Sequence, residues 1–180
     1  MRLLIVAFTT LALSACDSGA VPSPSERQEQ IELAEPVDPN QINLNGDGLV
    51  AGAEAFYFAA GRWEVEASLI EILSDPINRQ SNDECGAGPM EFTQFPSGLT
   101  VNFQGGRLVG WLLDEDAENI SVIGDVTVGT ERAEVEAHPD FNAIADSTLG
   151  EEFILSGAVA GFIEDDKVSK LYAGVQCFFR

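Results

Sequence analysis

Three cysteines are the residues of this 180-residue chain best suited to covalent chemistry. Cys16 closes the tetrapeptide Leu13-Ser14-Ala15-Cys16, which follows Arg2 and the apolar run 3–13. A run that short fits the core of a signal peptide and not a membrane-spanning helix. Small residues ahead of a Cys make the pattern of a bacterial lipobox, in which the thiol takes a diacylglycerol. The mature chain is then expected to begin at Cys16 and to be held at a membrane by acyl chains, each buried methylene adding about 0.8 kcal/mol. The competing reading is a secretory peptide whose last apolar turn holds a Cys. Cys85 and Cys177 remain as an even pair in an exported, oxidising setting, where a disulfide is expected. It would close a loop of roughly 90 residues, for which chain entropy gives about 4 kcal/mol. Two thiols without a nearby His would make a poor zinc site, and no metal or other cofactor is expected.

Other constellations are weaker. His138 is the single histidine and stands before Pro139, where it reads as a helix terminator and not as a catalytic base. Glu84, Asp114, Glu115 and Asp116 could supply paired carboxylates for glycoside hydrolysis, but thirty acids make such pairs common by chance. Asn43-x-Asn45-x-Asp47-Gly48-x₅-Glu54 approximates a calcium loop, with Asn at its first position and no amphipathic helix ahead of it. A turn is the simpler account. The two glycines of Cys85-Gly86-Ala87-Gly88-Pro89 suit close packing around a disulfide. No catalytic residue is assigned.

The formal charge is −21, from thirty acids against nine bases. Nucleic acid is therefore excluded as a partner, because binding it needs clustered Lys and Arg. An anionic bilayer would repel the folded part as well. Such acidity serves solubility or suits a cationic protein partner.

The elements that must position these residues follow from composition and periodicity. Residues 1–15 read as the signal, and 16–40, rich in Ser, Pro, Glu and Gln, as a lipidated tether. Some 24 flexible residues reach roughly 25–30 Å. The folded part divides into a first αβ repeat, 41–116, and a second, 117–180. The segment 56–67 lines up with 126–137, and 98–103 with 157–162, each followed by a turn and another strand. In the first repeat Val65, Leu69, Ile72 and Leu73 form one apolar stripe on a helix that Asp75-Pro76 ends. In the second, Thr130 is placed to cap a helix that His138-Pro139 closes early, with a further turn over 141–145. Gly105-Gly106 and Asp165-Asp166 mark two hairpins. Simple alternation under the first turn sets Phe103 opposite Leu108, Val101 opposite Gly110 and Thr100 opposite Trp111. Leu99, Val101, Phe103, Leu108 and Leu112 then face the helix. Val109, Trp111 and Tyr172 face away from it, as a candidate partner face with an aromatic anchor, unless a second core layer covers them. The last strand runs over 171–179 and holds Cys177. The fold class is α+β: tandem αβ repeats forming an antiparallel sheet with helices packed on one face.

The run 55–179, with Gly61, Val65 and Leu69 in one copy and Gly129, Val135 and Pro139 in the other, resembles in outline two groups of proteins. One is the β-lactamase inhibitory protein family, whose tandem αβ repeat implies a sheet that presents an aromatic face to a protein target. The other is the small outer-membrane assembly lipoprotein family, which carries one such repeat behind a lipobox. Ser74-Asp75-Pro76 stands where those patterns have a Gly near the Pro. The set Glu84-Cys85-Gly86-Ala87-Gly88-Pro89, Gly98-Leu99, Gly110-Trp111, Ser147-Thr148-Leu149-Gly150 and Cys177-x-Phe179-Arg180 is similar to a family of exported bacterial lipoproteins without an assigned activity. Some of its members carry an aspartate-semialdehyde dehydrogenase label. The residues do not support that chemistry, since no Gly-x-Gly-x-x-Gly follows a strand. The expectation is a lipid-anchored, periplasm-facing protein of the bacterial cell envelope that binds another envelope protein and is not an enzyme. A dehydrogenase or an acid-pair hydrolase is the alternative. Asp17, after the lipidated Cys, retains lipoproteins in the inner membrane of some bacteria, and the choice of membrane stays open.

Overall fold

The computed structural model of the chain describes residues 37–122, 124, 126–155 and 158–178. The signal, most of the tether and Cys16 lie outside the described residues. The strands are β1 (Ile42–Asn45), β2 (Gly48–Ala51), β3 (Glu54–Tyr57), β4 (Asn78–Asn82), β5 (Met90–Gln94), β6 (Leu99–Gln104), β7 (Arg107–Leu113), β8 (Ile120–Val122), β9 (Asn142–Ala143), β10 (Glu151–Ile154), β11 (Val159–Glu164) and β12 (Lys167–Gly174). The helices are α1 (Arg62–Leu73) and α2 (Arg132–Glu136). The class is α+β, as the sequence predicts.

Eight strands form one antiparallel sheet in the order β4-β5-β6-β7-β12-β11-β10-β9. The order is a palindrome: each repeat contributes four strands, and the two halves join where β7 pairs with β12. A smaller sheet, β3-β2-β1-β8, is antiparallel except where β1 runs parallel to β8. The main core lies between the inner face of the large sheet (Val101, Phe103, Trp111, Phe153) and a layer made of the small sheet (Ile42, Leu49) and the helices (Val65, Val135).

The duplication extends to single hydrogen bonds. Arg62 N donates to Gly106 O at 2.9 Å in the first hairpin turn, and Arg132 N donates to Asp166 O at 2.8 Å in the second. Leu108 N reaches Ala60 O, and Val168 N reaches Thr130 O. Phe95 N bonds Leu99 O, and Leu155 N bonds Val159 O. The last pair corrects the sequence alignment. Leu99 matches Val159, so Gly98 matches Ala158 and not Gly157, a slip of one residue. Gly98 and Ala158 both take positive φ, 74° and 67°.

Helix α1 buries Val65, Leu69 and Leu73, spaced by one turn each, and ends at Ser74 as Asp75-Pro76 predicts. Helix α2 stops after five residues, ahead of His138-Pro139. Thr130 does not cap it. Its carbonyl is taken by Val168, and its hydroxyl accepts from Thr127 N, which leaves Glu131 at the cap position, its carboxylate paired with Lys167 and making no capping bond to the helix. The expected turn over 141–145 contains β9, paired with β10. Both hairpin turns form where predicted, with φ of 54° and 73° at Gly105-Gly106 and 51° and 62° at Asp165-Asp166. Two consecutive positive φ values are what a two-residue turn between right-twisted strands requires.

The pairing within the first hairpin departs from simple alternation. Phe103 faces Leu108 as expected, but Asn102 faces Gly110, Val101 faces Trp111 and Thr100 faces Leu112. Val109 is the extra residue of a β-bulge, and a bulge reverses which face every later side chain takes. The second hairpin carries its register shift at the matching place, between Phe162 and Ile163. The C-terminus also differs from the prediction. Strand β12 ends at Gly174, whose φ of 72° turns the chain out of the sheet, and Cys177 lies beyond the strand.

Candidate functional site

The three residues expected to share a partner face do not share one. Trp111 is fully buried in the main core, and its Nε1 donates to Asn45 O at 2.8 Å. The bulge at Val109 moves it from the outer to the inner face, under the small sheet. Val109 is half-buried and its carbonyl accepts from Val175 N at 2.8 Å. Tyr172 lies on the outer face but is buried, stacked on Phe162 and met edge-on by Phe178. Its hydroxyl donates to Glu152, a buried carboxylate that also accepts from Ser147 Oγ.

Cys85 and Cys177 form the expected disulfide. The bond fastens residues 175–178 as a strap over the outer face. Asn102 Nδ2 donates to Val175 O and to Gln176 Oε1, both at 2.9 Å, and Gln176 Nε2 donates to the carbonyls of Trp111 and Ala173. Val175 O would lie only 2.5 Å from a Cβ at position 110, so the strap needs Gly110 beneath it. Beside the strap is a cleft of about 340 Å³ with Leu112, Leu149, Phe162 and Phe178 among its walls.

The remaining candidates are not brought together. Asn45 Oδ1 accepts from Asp47 N in the β1–β2 turn, while Glu54 belongs to β3 and accepts from Ser68, so the calcium-like spacing is a hairpin. His138 Nδ1 accepts from Asp140 N within its own turn. Glu84 follows β4 and residues 114–116 follow β7, three strands away in the sheet and at its opposite end. Three strand spacings are roughly 14 Å, beyond the separation of a glycosidase pair. Among the described residues no group of three or more His, Cys, Asp or Glu is placed to hold a metal.

The duplicated arginines are the signal that sequence reading missed. At the start of α1, Arg62 binds Glu66 at 2.7 Å and Glu91 at 2.9 Å and lies over the Phe103 ring. Arg79, from β4, binds Glu66 at 3.0 Å, and Thr93 Oγ1 donates to the same carboxylate. Burial pushes the Glu66 carboxyl up, and the hydrogen bonds from Thr93, Arg62 and Arg79 together outweigh it and hold the group below its usual range. At the start of α2, Arg132 binds Glu136, Glu151 and Asp166, and its hydrogen bonds to Glu151 and Asp166 raise its already high pKa. Here, among the described residues, no second arginine joins the cluster. Beside Arg132 is a cleft of about 340 Å³ whose walls include Phe141, Ala143, Phe153, Ile163 and Glu136; beside α1 a cleft of about 320 Å³ has Trp63, Glu66 and Arg79 among its walls. Phe141 stacks on Phe153 with ring centres 5.6 Å apart. The alternation Glu151, Phe153 against Glu91, Thr93 could have revealed the site, once the copies were aligned at the right register.

Two large apolar side chains near α1 also escaped notice. Trp63 is 81% exposed, and Ile77 stands out after Pro76. Neither lies on the stripe that sequence periodicity picks out. Comparisons with protein-family models, curated proteins and solved structures find no match.

Proposed function

We propose that the chain is a lipid-anchored protein of the bacterial cell envelope that faces the periplasm and binds another envelope protein, without catalysing a reaction. The lipobox at Cys16 and the Cys85–Cys177 disulfide support the location, since disulfides persist outside the reducing cytosol. The cleft between α2 and the β9 edge carries the binding reading. Its floor is apolar and aromatic, its rim holds charges, and its volume of about 340 Å³ falls at the small end of the range for occupied sites. Recessed aromatic surface with a polar rim is where binding energy concentrates in protein interfaces.

Two measurements test this. In a bacterium producing the full chain, Cys16→Ser should move the protein from the membrane to the soluble fraction. Retention in the membrane would overturn the lipid anchor. A photo-crosslinking residue at Ala143, in the cleft, should join the chain to one discrete envelope protein, whereas the same residue at Ser81 on β4 should not. Identical products at both positions, or none at Ala143, would overturn the binding reading.

A further inference from the structure

The two copies of the repeat are alike in backbone and unlike in charge, and the difference gives the cleft a ligand chemistry. In the first copy Arg79 stands opposite Thr93 on β5. In the second, Ala143 stands opposite Phe153 on β10. Glu91 and Glu151 hold the same place, since each binds the first arginine of its helix. Counting from them, Thr93 corresponds to Phe153 and Arg79 to Ala143. The first copy thus sets Arg62 and Arg79 against Glu66 and Glu91, a neutral cluster. Among the described residues, the second sets Arg132 alone against Glu136, Glu151 and Asp166. It has lost one guanidinium and gained one carboxylate, because Asp166 occupies the turn position of Gly106. Ala143, at the register position of Arg79, lines the cleft together with Phe141 and Glu136.

We infer that this cleft receives an arginine side chain from a basic segment of the protein partner, in the place that Arg79 fills from within the first copy. The inference rests on the protein-binding reading above and names the chemistry of the bound partner. The guanidinium would bond Glu136 and the neighbouring acids, as Arg79 bonds Glu66. Its stem would lie along the half-buried Phe141 ring, which is backed by Phe153, as Arg62 lies over Phe103. Arginine suits this site better than lysine, since a planar fork can serve two carboxylates and stack on an aromatic face together. The wider charge of −21 would draw a basic partner in but cannot select arginine; only the cleft can.

The test uses the disulfide-intact full chain and the peptide amide acetyl-Leu-Arg-Leu-NH₂, with counterparts holding lysine or neutral citrulline in the centre. Binding is read by NMR titration of backbone amides. The arginine peptide should shift Ala143, Ile144 and Phe153, with the lysine peptide several-fold weaker and the citrulline peptide at least about tenfold weaker, the loss of one charge-assisted hydrogen bond. Glu136→Gln should weaken the arginine peptide by a similar factor. Ala143→Arg should abolish binding by supplying the guanidinium internally; if that variant does not fold, Glu136→Gln carries the test. Arg79→Ala should open a second locus in the first copy, with new shifts at Thr93 and Glu91. Equal binding of arginine and citrulline peptides, or shifts scattered over the surface with lysine as effective as arginine, would overturn the inference. Loss of arginine binding with the Ala143 crosslink intact would overturn the inference and leave the protein-binding reading standing. Arginine binding without any crosslink would uphold the guanidinium chemistry of the cleft but overturn a protein partner as its source, and the protein-binding reading with it.

Discussion

Trp111 shows how one extra residue decides a side chain's role. Its neighbours Val109 and Gly110 make β7 read as alternating, and alternation places the indole on the outer face. The bulge at Val109 turns it inward, where it fills the core and satisfies Asn45 O at the end of β1. The sequence held a hint in Gly110, since glycine inside a strand often marks a bulge or a close backbone approach. Here it marks both, because the strap crosses at that position. The indole is thus a tie between the two sheets and not a partner anchor. Trp111→Phe removes buried volume and leaves a carbonyl without its donor. It should lower unfolding free energy by about 2–4 kcal/mol in urea denaturation while leaving the Ala143 crosslink unchanged.

Elements were more legible than faces. The apolar stripe of α1, its proline stop, the brevity of α2 and both hairpin turns are local patterns with local causes. Gly105-Gly106 needs only its own backbone freedom, and Pro139 stops α2 whatever lies around it. What escaped needed partners distant in sequence. The one-residue slip between copies arose because Gly157 looked like Gly98, whereas Ala158 takes the positive φ. The Arg62 and Arg132 networks join α1 to β5 and α2 to β10 across 29 and 19 residues. No windowed pattern contains both ends. The first network also makes a statement about pH. Glu66 titrates below its usual value in the folded chain, so the unfolded chain binds its proton more readily. The stabilising contribution is then fully present above the unfolded value of about 4.5 and is lost as pH falls through the depressed folded value. Glu66→Gln should flatten that part of the stability profile. Thermal unfolding followed from pH 6 down to pH 3 should show the natural chain losing more stability than the variant, and parallel curves would contradict the network's role.

At the scale of the whole molecule, the palindromic sheet sets the problem that the disulfide solves. A sheet of two halves joined only at β7 and β12 covers its inner face with the small sheet and the helices, but the outer face carries Leu112, Phe162 and Tyr172, which among the described residues no second sheet or helix covers. The strap supplies that cover. Phe178 closes over the Phe162–Tyr172 pair, while Val175 and Gln176 lie along β7. Four residues outside any strand, held by a handful of hydrogen bonds, would open readily in water. Cys177 prevents this by tying the strap to Cys85 at the far edge of the first repeat, across 92 residues of sequence. The same link removes conformational freedom from the unfolded chain, worth about 4–5 kcal/mol for a loop of that length. The effects are separable. Cys177→Ser should lower unfolding free energy by roughly that amount. It should also release the strap in the folded state, read as faster hydrogen exchange at the Val175 amide and as dye binding to the bared aromatic cluster. The cleft at Ala143 belongs to the inner side and the opposite edge, so arginine-peptide affinity should persist in the folded variant. Loss of that affinity at temperatures where the variant remains folded would mean that the two halves of the sheet are coupled through the strap and do not act as separate copies.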